Sequence, residues 1–289
     1  MTDRPNDAPL LSARDIARRM QGSRVLIVDC RFDLTDPRTA ERDYLAAHIP
    51  GARYADLDRD LSDLSKSGLG RHPVPDSGAF SAALSRWGWQ PGVLLVAYDA
   101  ANAALAAARL WWLMRMAGRD AVVLDGGLQA WRAANMPLES GSPSESASAA
   151  SVHFDRSGMV GYEELERRLG DDSILLLDAR AAPRYRGEVE PIDAVAGHVP
   201  GARNRPYSDN LQADGRFKPA ATLSDEFTRL LAGRHPADVV HMCGSGVTAC
   251  HNLLAMEHAG LSGSRVFAPS WSGWIDDAKH PIATGDAPA

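Results

Sequence analysis

Short, continuous apolar runs alternate with longer stretches of helical periodicity along this chain. Residues 25–28, 93–97 and 122–124, and again 174–177, 239–242 and 265–267, are rich in Val, Ile and Leu with no polar residue at every second position. Runs of that kind are strands buried on both faces, as in a parallel sheet. Between them lie helical patterns such as Ala103–Met116 and Thr248–Ala259. Ser12-Ala-Arg-Asp15 reads as a capping box opening the first helix. The pattern predicts an α/β fold of parallel sheets with helices on both faces. In such sheets ligands gather at the carboxyl ends of the strands.

The pattern also repeats. VLIVD (25–29) is answered by ILLLD (174–178), and His48-Ile-Pro-Gly-Ala-Arg53 by His198-Val-Pro-Gly-Ala-Arg203. LLVAYD (94–99) is answered by VVHMC (239–243), and VVLDGGLQAW (122–131) by RVFAPSWSGW (265–274). Four blocks in one order indicate a tandem duplication. The segment ESGSPSESASAAS, rich in Ser, Ala and Pro, reads as a semi-extended, solvent-exposed linker. The expected division is a domain at 1–138, a linker at 139–151 and a second domain at 152–289.

Composition narrows the function classes. The 289 residues are 45% hydrophobic and 24% charged, with a net charge of −6. That supports a packed core and gives no basic footprint for nucleic acid or an anionic membrane. The most apolar stretch, near Leu105–Met116, is broken by Arg109 and Arg115, so no membrane span is expected. The opening MTDRPNDAPLLS has no charged segment leading into an apolar one, so no signal peptide is expected. Three cysteines are not a disulfide scaffold. Together these features point to a soluble protein of the reducing cytoplasm.

One segment has the shape of an active site: Val239-Val-His-Met-Cys243-Gly-Ser-Gly-Val-Thr248. A strand ends at a cysteine, a loop of small residues follows, and a helix begins. Glycines let backbone N–H groups turn inward, and the helix N-terminus adds partial positive charge, so an anionic sulfur is stabilised there. A phosphatase cradle would need an arginine at position 249, which is Ala. A hydrolase would need a base beside the cysteine, and His241 shares its strand and is expected to face the next layer. Sulfur transfer through a Cys243 persulfide fits the loop and needs neither metal nor organic cofactor. Cys243 aligns with Asp99 in the first half, and a carboxylate cannot carry a sulfane sulfur. Cys250 reads as a core residue, and Cys30, after a strand in the half without the cysteine loop, as inert. His48 and His198 recur in both halves and read as structural.

The duplicated halves, the His-Ile/Val-Pro-Gly-Ala motifs, Arg184-Tyr-Arg-Gly187 and Cys243-Gly-Ser-Gly-Val-Thr248 together resemble the tandem-domain rhodanese family. The resemblance implies two rhodanese-like domains with one catalytic cysteine, Cys243, facing the cleft between them. The uncharged loop is similar to the type that takes sulfur from 3-mercaptopyruvate. For that type the resemblance implies a proton relay through Ser245, with His72 and Asp58 of the first domain as its best matches. It implies that Arg184, with Gly244, Gly246, Val247 and Thr248 of the loop, binds the donor, and that a thiol or cyanide accepts the sulfur. A thiosulfate donor is the alternative; a non-catalytic binding module or persulfide carrier is the reading from another class. Two features depart from the mercaptopyruvate pattern. No second arginine follows Arg184 in Glu188–Asp193, and alanines replace a tyrosine after Asp99. The second half also inserts about nine residues between Tyr185 and His198, expected to border the site. Trp271, without a twin in the first half, is a candidate for lining the pocket.

Overall fold

The computed structural model describes residues 8–143, 147–169 and 173–286. The first sheet contains β1 (Leu10–Leu11), β2 (Val25–Asp29), β3 (Arg53–Tyr54), β4 (Leu94–Tyr98) and β5 (Ala121–Leu124), in the spatial order β1-β5-β4-β2-β3. Every pairing is parallel. The second contains β6 (Leu175–Asp178), β7 (Arg203–Asn204), β8 (Val239–Met242) and β9 (Arg265–Val266), ordered β7-β6-β8-β9 and again parallel. The two orders superimpose strand for strand. The counterpart of β1 is reduced to a single parallel bridge, Met159 to Val266. Antiparallel bridges His48–Glu139 and His198–Ala283 occupy matching places in the two halves. The duplication read from the sequence is thus a duplication of topology.

The first half carries helices α1 (Ala13–Gly22), α2 (Pro37–Ala46), α3 (Leu57–Asp60), α4 (Ser77–Trp87), α5 (Ala107–Met116) and α6 (Gly127–Ala133). The second carries α7 (Tyr162–Arg168), α8 (Ala182–Tyr185), α9 (Ala220–Leu231), α10 (Ala249–His258) and α11 (Ser270–Trp274). Ser12 caps α1 through the Asp15 N–H, as the sequence suggests, but Asp15 returns its carboxylate to the Ser12 hydroxyl and completes no backbone box. Helix α5 starts at Ala107 rather than near Ala103. The Asp99 carboxylate gathers the N–H groups of Ala101, Ala103, Leu105, Ala106 and Ala107 and winds the intervening residues into turns.

Helices α5 and α10 are buried nearly all round and pack on each other across the domain boundary. A helix apolar on every side needs cover on every side, and here each domain supplies cover for the other. One hydrophobic core accordingly runs from Leu110 and Leu113 through Phe80 and Phe154 to Leu254 and Met256. The described residues of the interdomain segment are extended and exposed or half-buried, and they are also tied to the first domain. Ser77, Ser81 and Ser85, one turn apart on α4, accept the N–H groups of Phe154, Val152 and Ala150. Residues 148–154 therefore lie as an extended strap along α4, with Val152 and Phe154 buried. The hydroxyl stripe satisfies backbone donors that a Ser/Ala-rich segment cannot satisfy itself.

Candidate active site

Strand β8 ends at Met242, and the next residue, Cys243, is only 2% exposed. Its loop is held from below. The Cys243 N–H donates to Ser270 Oγ at 3.1 Å, and the carbonyls of Cys243 and Gly244 accept from Trp271 and Ser272 of α11. Gly246 has φ +78° and directs its N–H at Cys243 Sγ, 3.1 Å away. A Cβ at that position would lie 2.3 Å from the carbonyl oxygen of Ala268, so only glycine fits. Val247 and Thr248 complete the turn into α10, their carbonyls accepting from Cys250 and His251.

The first half shows what such a loop does to an anion. Asp99 follows β4 as Cys243 follows β8, and its fully buried carboxylate takes five backbone N–H groups. Burial pushes that carboxyl up, and the N–H groups of Ala101, Ala103, Ala106 and Ala107 oppose it. The first-half nest is plugged by its own side chain, whereas in the second half a sulfur atom stands at the strand end.

The first domain reaches across to this loop with several side chains. His72 is 3% exposed, and its Nδ1 lies 2.8 Å from Ser245 Oγ. Its Nε2 faces Asp58 Oδ1 at 3.3 Å. A carboxylate only accepts, so the ring proton sits on Nε2, and Nδ1 accepts the serine hydroxyl. Burial lowers the His72 pKa below its ordinary 6.5, while the hydrogen bond and charge of Asp58 pull the other way. Asp58 lies in the first turn of α3, and Asp56 caps that helix by accepting the N–H groups of Asp58 and Arg59. The three residues paired by resemblance therefore form a chain of contacts spanning the domain boundary.

Arg109 is a residue whose signal in the sequence was only an interruption of an apolar helix. It is fully buried in α5 and donates to the carbonyls of Gly246 at 2.9 Å, His72 at 2.9 Å and Leu61 at 3.4 Å. No ion pair joins it to a carboxylate among the described residues, and Cys250 and Cys243 are its electrostatic neighbours. It ties the cysteine loop to the His72 segment. Burial pushes the Cys250 thiol up to about 12 and holds Cys30 well above the ordinary range, so both stay protonated.

Arg184, in α8, is bound by acidic groups of the inserted loop: Glu190 at 2.6 Å and Asp193 at 3.0 Å. The loop does border the site. Asp193 also meets Arg71 of the first domain at 2.7 Å. Both guanidinium groups face the cysteine loop, since a Cβ on Gly244 would lie 3.6 Å from Arg71 Nη2 and 3.7 Å from Arg184 Nη1. Arg71 immediately precedes His72, and nothing local in the sequence marks it as part of the site. Trp271 does not line the mouth. It is completely buried under the inserted loop, donates its indole N–H to the Val195 carbonyl, and lies beneath Arg180. His241 faces away from Cys243 toward Ser264, as expected. His48 and His198 bond the Tyr44 and Tyr185 carbonyls and stack on those rings, which is a structural role in both halves.

Comparison with known proteins agrees with this architecture. Residues 12–134 and 162–277 each match the rhodanese-like domain. The chain belongs to the rhodanese family. A probable 3-mercaptopyruvate sulfurtransferase of Pseudomonas aeruginosa is 47% identical over 284 residues, covering 97% of this chain and 100% of the relative. A putative thiosulfate sulfurtransferase of Mycobacterium tuberculosis is 38% identical, covering 96% of this chain and 98% of the relative. Among solved structures, the 3-mercaptopyruvate sulfurtransferase from Leishmania major superimposes with a TM-score of 0.82 at 30% identity, over 94% of this chain and 75% of that one. The fold and the tandem arrangement are those of sulfurtransferases. No helix among the described residues is long and apolar enough to cross a membrane.

Proposed function

We propose that this rhodanese-family protein is a sulfurtransferase that takes sulfur from 3-mercaptopyruvate, holds it as a persulfide on Cys243 and delivers it to a thiol or to cyanide. The observation that carries the reading is the Asp58–His72–Ser245 chain beside Cys243, with contacts of 3.3 and 2.8 Å. The Cys243 thiolate attacks the mercapto sulfur. An S–S bond forms, the C–S bond breaks, and its electron pair passes into the enolate of pyruvate. The proton leaving the donor's sulfur reaches the methylene carbon through Ser245 and His72, leaving pyruvate and Cys–S–S⁻. The Gly246 N–H supports the anionic sulfur. An acceptor thiolate or cyanide then attacks the outer sulfur, and the S–S electron pair returns to Cys243. Thiosulfate needs no proton at carbon, so it would leave this chain of contacts without a task.

Charge points the same way. Arg71 and Arg184 are matched by Glu190 and Asp193, so the mouth offers little net attraction to a dianion. A cytoplasmic setting is supported by three free cysteines, Cys30, Cys243 and Cys250. The test is mass spectrometry of the protein mixed with 3-mercaptopyruvate. Cys243 should gain one sulfur atom and lose it to cyanide, and kcat/KM should exceed that for thiosulfate. The variant Cys243→Ser should gain none, while Cys30→Ala and Cys250→Ala retain most activity. Near-wild-type turnover in Cys243→Ser would overturn the reading.

A further inference from the structure

Two guanidinium groups from different domains converge on the cysteine loop, and one carboxylate fixes both. Asp193 is almost fully buried, its side chain 2% exposed. Its Oδ1 meets Arg71 Nη1 at 2.7 Å and its Oδ2 meets Arg184 Nη2 at 3.0 Å. Glu190 takes the Nε and Nη2 edge of Arg184. The remaining nitrogens, Arg71 Nη2 and Arg184 Nη1, make no hydrogen bond among the described residues. Those two nitrogens lie 3.6 and 3.7 Å from the point where a Gly244 side chain would begin, and Arg184 Nη2, held by the acids, is also 3.7 Å from it. Arg71 Nε is also buried without a hydrogen-bond partner. The Arg71 backbone is not free to drift, because its N–H donates to Ser272 Oγ of α11 at 2.9 Å.

We propose that Arg71 is a donor-binding residue, and that it and Arg184 grip the donor's carboxylate over Gly244 between Arg71 Nη2 and Arg184 Nη1. Asp193 is the positioning residue. It holds Arg71 by Nη1 and Arg184 by Nη2 beside the loop and leaves Arg71 Nη2 and Arg184 Nη1 open to a ligand. A carboxylate spanning two guanidinium groups receives a charge-assisted hydrogen bond from each, and the fork geometry fixes its plane. Glycine at position 244 keeps a side chain away from the arginines, since a Cβ there would already stand within 3.7 Å of both. The ligand class is a 2-oxo acid, whose single carboxylate matches the clamp and whose carbonyl and sulfur then extend toward Cys243. A clamp with one arm in each domain forms only when the domains are packed together, which ties donor binding to the interdomain interface.

This inference rests on the proposed 2-oxo-acid donor, so its test includes a probe that needs no turnover. Calorimetry of pyruvate with the full-length protein and with Arg71→Ala measures carboxylate binding alone, and steady-state kinetics with 3-mercaptopyruvate measures KM and kcat. Loss of one charge-assisted hydrogen bond should weaken pyruvate binding and raise KM together by roughly 10- to 100-fold. The fall in kcat at saturating donor should be much smaller. Arg71→Lys should recover part of the KM and pyruvate effects, because it restores charge without the fork. Unchanged pyruvate binding and KM in Arg71→Ala would overturn the clamp. So would a loss confined to kcat and melting temperature, which marks a purely structural residue. If wild-type Cys243 gains no sulfur from 3-mercaptopyruvate while Arg71→Ala still loses pyruvate affinity, the donor reading fails and the clamp stands.

Discussion

Replacing Gly246 by alanine should disable the site at a single, identifiable atom. Gly246 has φ +78°, a conformation that costs an L-residue about 1–2 kcal/mol. The added Cβ would also stand 2.3 Å from the Ala268 carbonyl oxygen and 3.1 Å from its carbon. That oxygen is backbone, in the segment between β9 and α11, and cannot rotate away as a side chain would. Relief requires the loop to move by about 1 Å to reach an ordinary contact distance. The Gly246 N–H, 3.1 Å from Cys243 Sγ, moves with it, and so does the carbonyl that Arg109 holds. Loss of one backbone donor to a reacting anion costs roughly 10²–10³ in rate, and a 1 Å misplacement of reacting groups costs about 10². We therefore expect kcat to fall by roughly 10²–10³ with KM changed far less. Gly244→Ala is the matched control. Its φ is not positive and its Cβ would find only ordinary contacts, but the methyl group intrudes on the space under Arg71 and Arg184. It should fold normally and raise KM several-fold. Steady-state kinetics of both variants, with melting curves to compare their folding, give the answer. A Gly246→Ala enzyme within threefold of wild-type kcat would refute the idea that this N–H supports the sulfur.

Two further outcomes follow from the relay and the interface. Because burial holds His72 below its ordinary pKa, its imidazole stays neutral through pH 6.5, and kcat should decline only at more acidic pH. Asp58→Asn removes the contact that raises that pKa, so the acid limb of the kcat–pH profile should move further down while the plateau falls; a limb that moves up would contradict the assigned contacts. An isolated 152–289 fragment loses Asp58, Arg71, His72 and Arg109 and exposes the apolar faces of α10, so it should melt at lower temperature and form persulfide at least about 10²-fold more slowly, and full activity in that fragment would mean that the first domain plays no part in the chemistry.

The fold was legible in the sequence because its signals are local. Valine and leucine runs at 25–28 and 174–177 need cover on both faces whatever surrounds them, and the repeated His-Ile/Val-Pro-Gly-Ala turns mark the duplication. Cys243 was legible for the same reason, since the strand end, the Cys-Gly-Ser-Gly turn and the helix start are neighbours in the chain. Local signals also misled. Ala103–Met116 reads as one continuous helix, but a buried Asp99 draws five N–H groups to itself and delays the start.

What tertiary structure alone decided is which distant residues share a site. His72 precedes a proline in a polar loop, and by itself that is the pattern of a surface histidine. It is buried only because α5 packs on α10 and brings its ring to Ser245, 173 residues away. Arg109 reads as a break in an apolar stretch and is in fact the buried cation that joins the two domains at Gly246. Arg71 meets the inserted loop from the other domain, at Asp193, placed by an interface that no chain neighbour encodes. Sequence fixes chemistry where the interacting groups lie within a turn or two of each other. Where charge must be gathered from two domains, only their packing sets the distances, and electrostatic forces at a site depend on those distances.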